Sequence, residues 1–181
     1  LMKEIELSKK LILHGKLPLS LSKVNFDKIF EFINFVTLDL KKRKLNRFND
    51  IDIPLMQDII WILDYAEGQF KLKTKKTLLR KSLDVMVHGK GEGSLKRHHL
   101  NYPNLKDTPD MVLLYFIKSD KNEIIIEYDD NRKKGLYWTL PIEGNQYVLF
   151  NSDLEYYILP NKSDKQRIVL RATYDERLPL T

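Results

Sequence analysis

Two histidines stand side by side at positions 98 and 99, directly after Lys96-Arg97. Imidazole is the side chain that most often ligates transition metals. An adjacent pair in a polar stretch is also a common surface feature. Arg167 and Arg171 lie four apart in the alternating run RIVLRATY, so they share one face of a strand. That face is either barrel interior or surface, and Glu123, Glu127, Asp129 and Asp130 are the acids available to pair with it. Tyr115 lies inside the apolar run MVLLYFIK, where a core tyrosine with a satisfied hydroxyl is the plain reading. Tyr137 and Trp138 suit a pocket mouth or a barrel cap. Gly89, Gly91 and Gly93 lack the Lys-Ser/Thr of a phosphate loop and read as a turn. Ser82, Asp84 and His88 form no nucleophile elbow.

The chain has no cysteine. Disulfides, zinc–thiolate sites, iron–sulfur clusters and thiol nucleophiles are therefore excluded. The net charge is +6, and it is uneven. Residues 1–100 hold 20 Lys and Arg against 12 Asp and Glu, and the remainder holds 11 against 13. The excess gathers in Lys41, Lys42, Arg43, Lys44 and Arg47, and in Lys71, Lys73, Lys75, Lys76, Arg80 and Lys81. Such a half can steer an anionic partner, nucleic acid included, but no aromatic is interleaved as a stacking platform. A solvated face is the simpler reading, and nucleic acid is the less favoured partner. No apolar run reaches membrane-span length, and the first residues do not read as a secretory signal. The expectation is a cytoplasmic protein that does not engage a membrane.

The elements that must position these residues follow from periodicity. At 181 residues, 43% of them hydrophobic, the chain is expected to form a single domain over 1–181. Phe26, Ile29, Phe30, Ile33 and Val36 predict an amphipathic helix over 26–40, with Asn25 as N-cap. PLMQDIIWILDYA predicts a second helix over 54–66, with Pro54 in the first turn and Gly68 ending it. From about residue 78 the period changes to that of strands. The expected strands are 111–118, 123–128, 135–142, 146–152, 156–160 and 166–174, with turn residues between them. A helical part over about 1–77 then packs on a β part over about 78–176. Phe30, Ile33, Ile59 and Ile62 would cover the outer face of one sheet.

The β part resembles the double-stranded β-helix of the iron(II)- and 2-oxoglutarate-dependent oxygenases. The resemblance rests on ordered segments over roughly residues 80–176. MVHGKGEGSLKRHHLNYP is similar to the strand, Gly-rich turn and His-bearing strand that open the family's metal site. TPDMVLLYFIKSDKNEIIIEYDD is similar to the strand pair that follows. The last block carries Pro141, Glu143-Gly144, Val148-Leu149-Phe150, Ser152-Asp153-Leu154, Pro160-Asn161 and Arg167 in the family's order. The implied fold is α+β, mainly β: a jelly-roll, cupin-like barrel with N-terminal helices on one sheet.

The resemblance implies Fe(II) and 2-oxoglutarate as cofactors, and hydroxylation of a small-molecule or protein substrate. The family holds iron with two His and one carboxylate, leaving positions open for the cosubstrate and oxygen. His99 falls at the first ligand position. Asn101 falls where the carboxylate belongs, with Asp107 and Asp110 as acids of the following loop. Tyr156 falls at the distal His position, and Glu155 beside it would point to the other face. Arg167, 11 residues beyond, has the spacing of the family's cosubstrate arginine. Tyr115 falls where the family often places a tyrosine that helps hold the cosubstrate. Asn is a neutral ligand and Tyr an uncommon one for ferrous iron, so the resemblance implies a hydroxylase-like dioxygenase, either active or catalytically degenerate. The alternatives are a non-catalytic barrel that serves as a binding or assembly module with a basic face for an acidic partner, and, by fold analogy alone, a cupin-like small-molecule binder.

Overall fold

The structure, a computed structural model, describes residues 10–18, 24–42, 51–127 and 137–177. In chain order the elements are β1 (Ile12–Lys16), α1 (Phe26–Lys42), β2 (Ile51–Asp52), α2 (Gln57–Thr74) and β3 (Thr77–His88). After a short 3-10 turn at Leu105–Asp107 come β4 (Met111–Lys118), β5 (Asn122–Glu127), β6 (Tyr137–Ile142) and β7 (Gln146–Asn151). The series ends with β8 (Glu155–Ile158) and β9 (Arg167–Arg177).

The helices form where the apolar periodicity places them. α1 opens on Asn25, whose side-chain oxygen accepts from the Lys28 amide at 3.1 Å and so caps the first turn. The buried Asp58 in the first turn of α2 accepts from the Asn25 amide at 2.7 Å, which ties the two helix starts together. Gly68 does not end α2. The helix runs on to Thr74 because Phe70 continues the buried stripe of Ile59, Ile62, Leu63 and Ala66. Packing of that face outweighs the cost of one helical glycine, about 1 kcal/mol. The left-handed Lys75 closes the helix instead, its amide reaching the Lys71 carbonyl at 2.9 Å.

The strands form two antiparallel sheets. The larger has the order β1-β7-β4-β9-β3-β2, and the smaller β6-β5-β8. From β4 onward the chain crosses from the larger sheet to the smaller for the β5–β6 hairpin, back for β7, over for β8 and back for β9, which is the winding of a double-stranded β-helix. β1 and β2 are short edge strands that the sequence did not announce. Strand alternation divides the core in two. Val85, Val87, Leu113, Tyr115, Ile117, Leu149, Ile168 and Leu170 face the helices, where Ile33, Ile59 and Ile62 cover them and Phe30 packs at the margin. Met86, Val112, Leu114, Phe116, Val148, Phe150 and Val169 face the smaller sheet, meeting Ile124, Ile126, Tyr156 and Ile158. Among the described residues, no helix is long and apolar enough to cross a membrane.

Candidate ligand site inside the barrel

β3 and β9 run antiparallel along the larger sheet, and their inward residues meet in strict register. Ser82 faces Thr173, Asp84 faces Arg171, Met86 faces Val169, and His88 faces Arg167. Each pair is chemically matched, as cross-strand neighbours on a buried face must be. The two hydroxyls meet at 2.6 Å. Asp84 Oδ2 accepts from Arg171 Nη2 at 2.8 Å and from Nε at 3.0 Å. Arg167 Nε donates to His88 Nδ1 at 3.2 Å, so the proton of a neutral His88 ring sits on Nε2.

The smaller sheet supplies the opposite wall. The segment after β3 runs beside β8 as an irregular fourth strand. Gly91 turns it with a φ of 78°, and its amide reaches the Asn161 carbonyl at 2.7 Å. A Cβ on Gly93 would stand 2.7 Å from the Ile158 carbonyl oxygen, so only glycine lets the two backbones approach. Arg97 and Tyr156 then exchange backbone hydrogen bonds at 3.0 and 2.9 Å. The His99 amide reaches the Ser152 carbonyl at 3.0 Å.

This path sets His99 against Tyr156. Nε2 of His99 and the Tyr156 hydroxyl are 3.0 Å apart, and the rings are nearly parallel with centroids at 5.8 Å. The Tyr156 ring also meets Phe150 edge-on at 5.0 Å. Tyr156 is fully buried, and desolvation raises its pKa above the ordinary phenol value, with Arg171 and Arg97 opposing the rise. Arg171 thus acts on this hydroxyl as a nearby positive charge. A continuous polar network therefore runs Asp84–Arg171–Tyr156–His99.

Sequence reasoning placed five residues at this site. His99, Tyr156 and Arg167 do share the barrel interior. Asn101 is exposed, and its amide donates to Thr108 Oγ1 at 2.8 Å, within the loop that leads to β4. Tyr115 faces the helices, on the other side of the sheet from Arg167. Its hydroxyl donates to Asn145 Oδ1 at 2.8 Å, while Asn145 Nδ2 donates to the Leu17 carbonyl at 2.7 Å. The alternation Val112, Leu114, Phe116 inward forces Tyr115 outward. Its role is to fix the β6–β7 turn, not to hold a cosubstrate. Arg167 is 1% exposed, and Nη1 and Nη2 donate to the carbonyls of Leu159 and Glu92 at 2.8 and 3.2 Å. Among the described residues no carboxylate bonds it, and burial lowers its pKa to about 10.

Two members of the network escaped the sequence reading. Asp84 was weighed only as a hydrolytic candidate, and His88 with it. The acids that the sequence offers to the face shared by Arg167 and Arg171 are Glu123, Glu127, Asp129 and Asp130. Glu127 is engaged by Lys96 on the outer face instead, and Asp129 and Asp130 lie outside the described residues. The signal was present in the matched alternation of residues 82–88 and 167–173, but it needs the β3–β9 register to be read.

The fold implies ferrous iron with 2-oxoglutarate, and these residues do not fit them. Tyr156 offers a neutral, desolvated hydroxyl in place of an imidazole. Arg171 holds a permanent positive charge within bonding reach of that hydroxyl. Unit charges about 4 Å apart interact by about 4 kcal/mol at an effective dielectric of 20, and a divalent ion doubles the repulsion. Among the described residues, no three His, Asp or Glu side chains converge. Met86, Phe116, Ile126, Phe150 and Val169, all at 0% exposure, fill the space between the sheets with apolar side chains.

No protein-family model matches the chain. No curated protein matches it by sequence. Solved structures do. AviO1 from Streptomyces viridochromogenes Tue57 superposes with a TM-score of 0.60 at 6% identity, over 91% of this chain and 89% of that one. The non-heme alpha-ketoglutarate-dependent carbocyclase SnoK from nogalamycin biosynthesis gives 0.60 at 11% identity, over 90% and 79%. A Pseudomonas putida prolyl-4-hydroxylase gives 0.58 at 10% identity, over 92% of each chain. At such identities the likeness is one of fold. The chain has the double-stranded β-helix fold of the 2-oxoglutarate- and iron(II)-dependent oxygenases.

Proposed function

We propose that this chain uses the oxygenase fold without the iron reaction, as a metal-independent binding or assembly module. The observation that carries the reading is the replacement of a ligand set by the Asp84–Arg171–Tyr156–His99 network. The sealed Arg167 supports it, because three of its donor bonds are spent on His88 and two carbonyls. So does the apolar filling between the sheets. A partner bound by shape and apolar contact suits the surface better than a polyanion does. Lys76 pairs with Glu176, Arg80 with Asp64 and Glu67, and Lys81 with Asp175, so much of the described basic face is neutralised internally. The side chains of Lys41, Lys42, Arg43, Lys44 and Arg47 lie outside the described residues. Tyr137 and Trp138 on the edge strand β6 are 61% and 53% exposed and offer apolar area to such a partner.

The test is the metal content of protein expressed in iron-rich medium and purified without chelators. The expected result is iron and manganese far below one ion per chain. A stoichiometric metal, released together with 2-oxoglutarate turnover activity, would overturn the reading and restore the dioxygenase one.

A further inference from the structure

We infer that the guanidinium of Arg171 stands in the charge position of the metal and itself bars a divalent cation from the barrel. The inference rests on the metal-independent reading and supplies its cause. β3 and β9 set Asp84 and Arg171 directly opposite each other on the inward face. Arg171 donates twice to one carboxylate oxygen of Asp84, at 2.8 and 3.0 Å. The Tyr156 hydroxyl meets His99 Nε2 at 3.0 Å, and the guanidinium acts on that hydroxyl as a nearby positive charge. The cation is thus one hydroxyl away from the imidazole that the ligand pattern would use.

Three properties make this a substitution and not a mere neighbour. A guanidinium keeps its proton in proteins, so the charge cannot be titrated off to admit a second cation. The one carboxylate of this network is engaged by Arg171 and so does not offset the charge of a metal. The Asp84–Arg171 pair is neutral as it stands, one anion against one cation. Adding a divalent ion would leave it strongly positive in a buried space, where charge is costly.

Two variants of the full chain separate this cause from simple ligand loss. Tyr156→His supplies a second imidazole beside His99 and keeps Arg171. Tyr156→His with Arg171→Met also removes the guanidinium and relieves Asp84 of its partner. Mn(II) titration, read by the electron paramagnetic resonance of the free ion, measures binding, and circular dichroism checks folding. Wild type and Y156H are expected to leave Mn(II) free, and the double variant to bind it about tenfold or more tightly than Y156H. Equal binding by Y156H and the double variant, or binding by neither, overturns the inference and leaves the metal-independent reading intact. Mn(II) held by wild type overturns both. If R171M does not fold, Arg171→Gln on the Y156H background answers the same question, with the same outcomes deciding it.

Discussion

Asp84 and Arg171 should behave as one unit when stability is measured. Their side chains are 11% and 8% exposed, and two hydrogen bonds join them on a single oxygen. Arg171→Met leaves a buried carboxylate without its cation, and Asp84→Leu leaves a buried cation without its carboxylate. Removing one partner of a buried pair costs about 3–5 kcal/mol, mostly as the desolvation of the survivor. For a chain of this size each kcal/mol moves the Tm by about 2–4 °C, so each single variant should fall by about 6–20 °C. The double variant removes both charges. Its loss should be well below the sum of the singles, because apolar replacement of a whole buried pair is often near neutral. Urea unfolding of the four proteins, followed by far-ultraviolet circular dichroism, supplies the cycle. Singles that each lose under about 1 kcal/mol, or a double loss equal to their sum, would refute the claim that the pair is buried and coupled.

Other outcomes follow from single residues. Four tyrosines, Tyr115, Tyr147, Tyr156 and Tyr174, have pKa values raised above 10.0, chiefly by burial. The folded state holds those protons longer than the unfolded one, so their contribution is intact below pH 10 and is lost as pH climbs above it. Absorbance at 295 nm should show them ionising only with unfolding; early, fully reversible ionisation of all nine tyrosines would contradict that burial. Gly93→Ala should lose about 1–3 kcal/mol by pushing a methyl group onto the Ile158 carbonyl. Tyr115→Phe should lose about 1–3 kcal/mol through the orphaned Asn145, and should leave ligand-binding assays unchanged.

Much of the fold was legible because period and turn chemistry agree locally. MVLLYFIK is β4 residue for residue, and the Asn25 cap fixes the start of α1. The end of α2 was not legible, because Phe70 packs against elements that lie far away in sequence. The same distance hid β1, whose pairing with β7 joins residues more than a hundred positions apart. At the site, order and spacing brought His99, Tyr156 and Arg167 to one interior. The face of Tyr115 was recoverable from alternation alone, once Val112, Leu114 and Phe116 are assigned inward. Asp84 was hidden because its meaning comes from Arg171 across the sheet. Neither residue signals an ion pair in its own segment.

The metal-independent reading is tested most directly by thermal unfolding of metal-stripped wild-type protein under anaerobic conditions. Mn(II), 2-oxoglutarate and both together are added in turn. A ligand at about 100 times its Kd adds about 2.7 kcal/mol, which is about 5–11 °C here. The expected result is an unchanged Tm in all four conditions. A rise of that size that requires both ligands, and is lost in Arg167→Ala, would contradict the account and show a working oxygenase site.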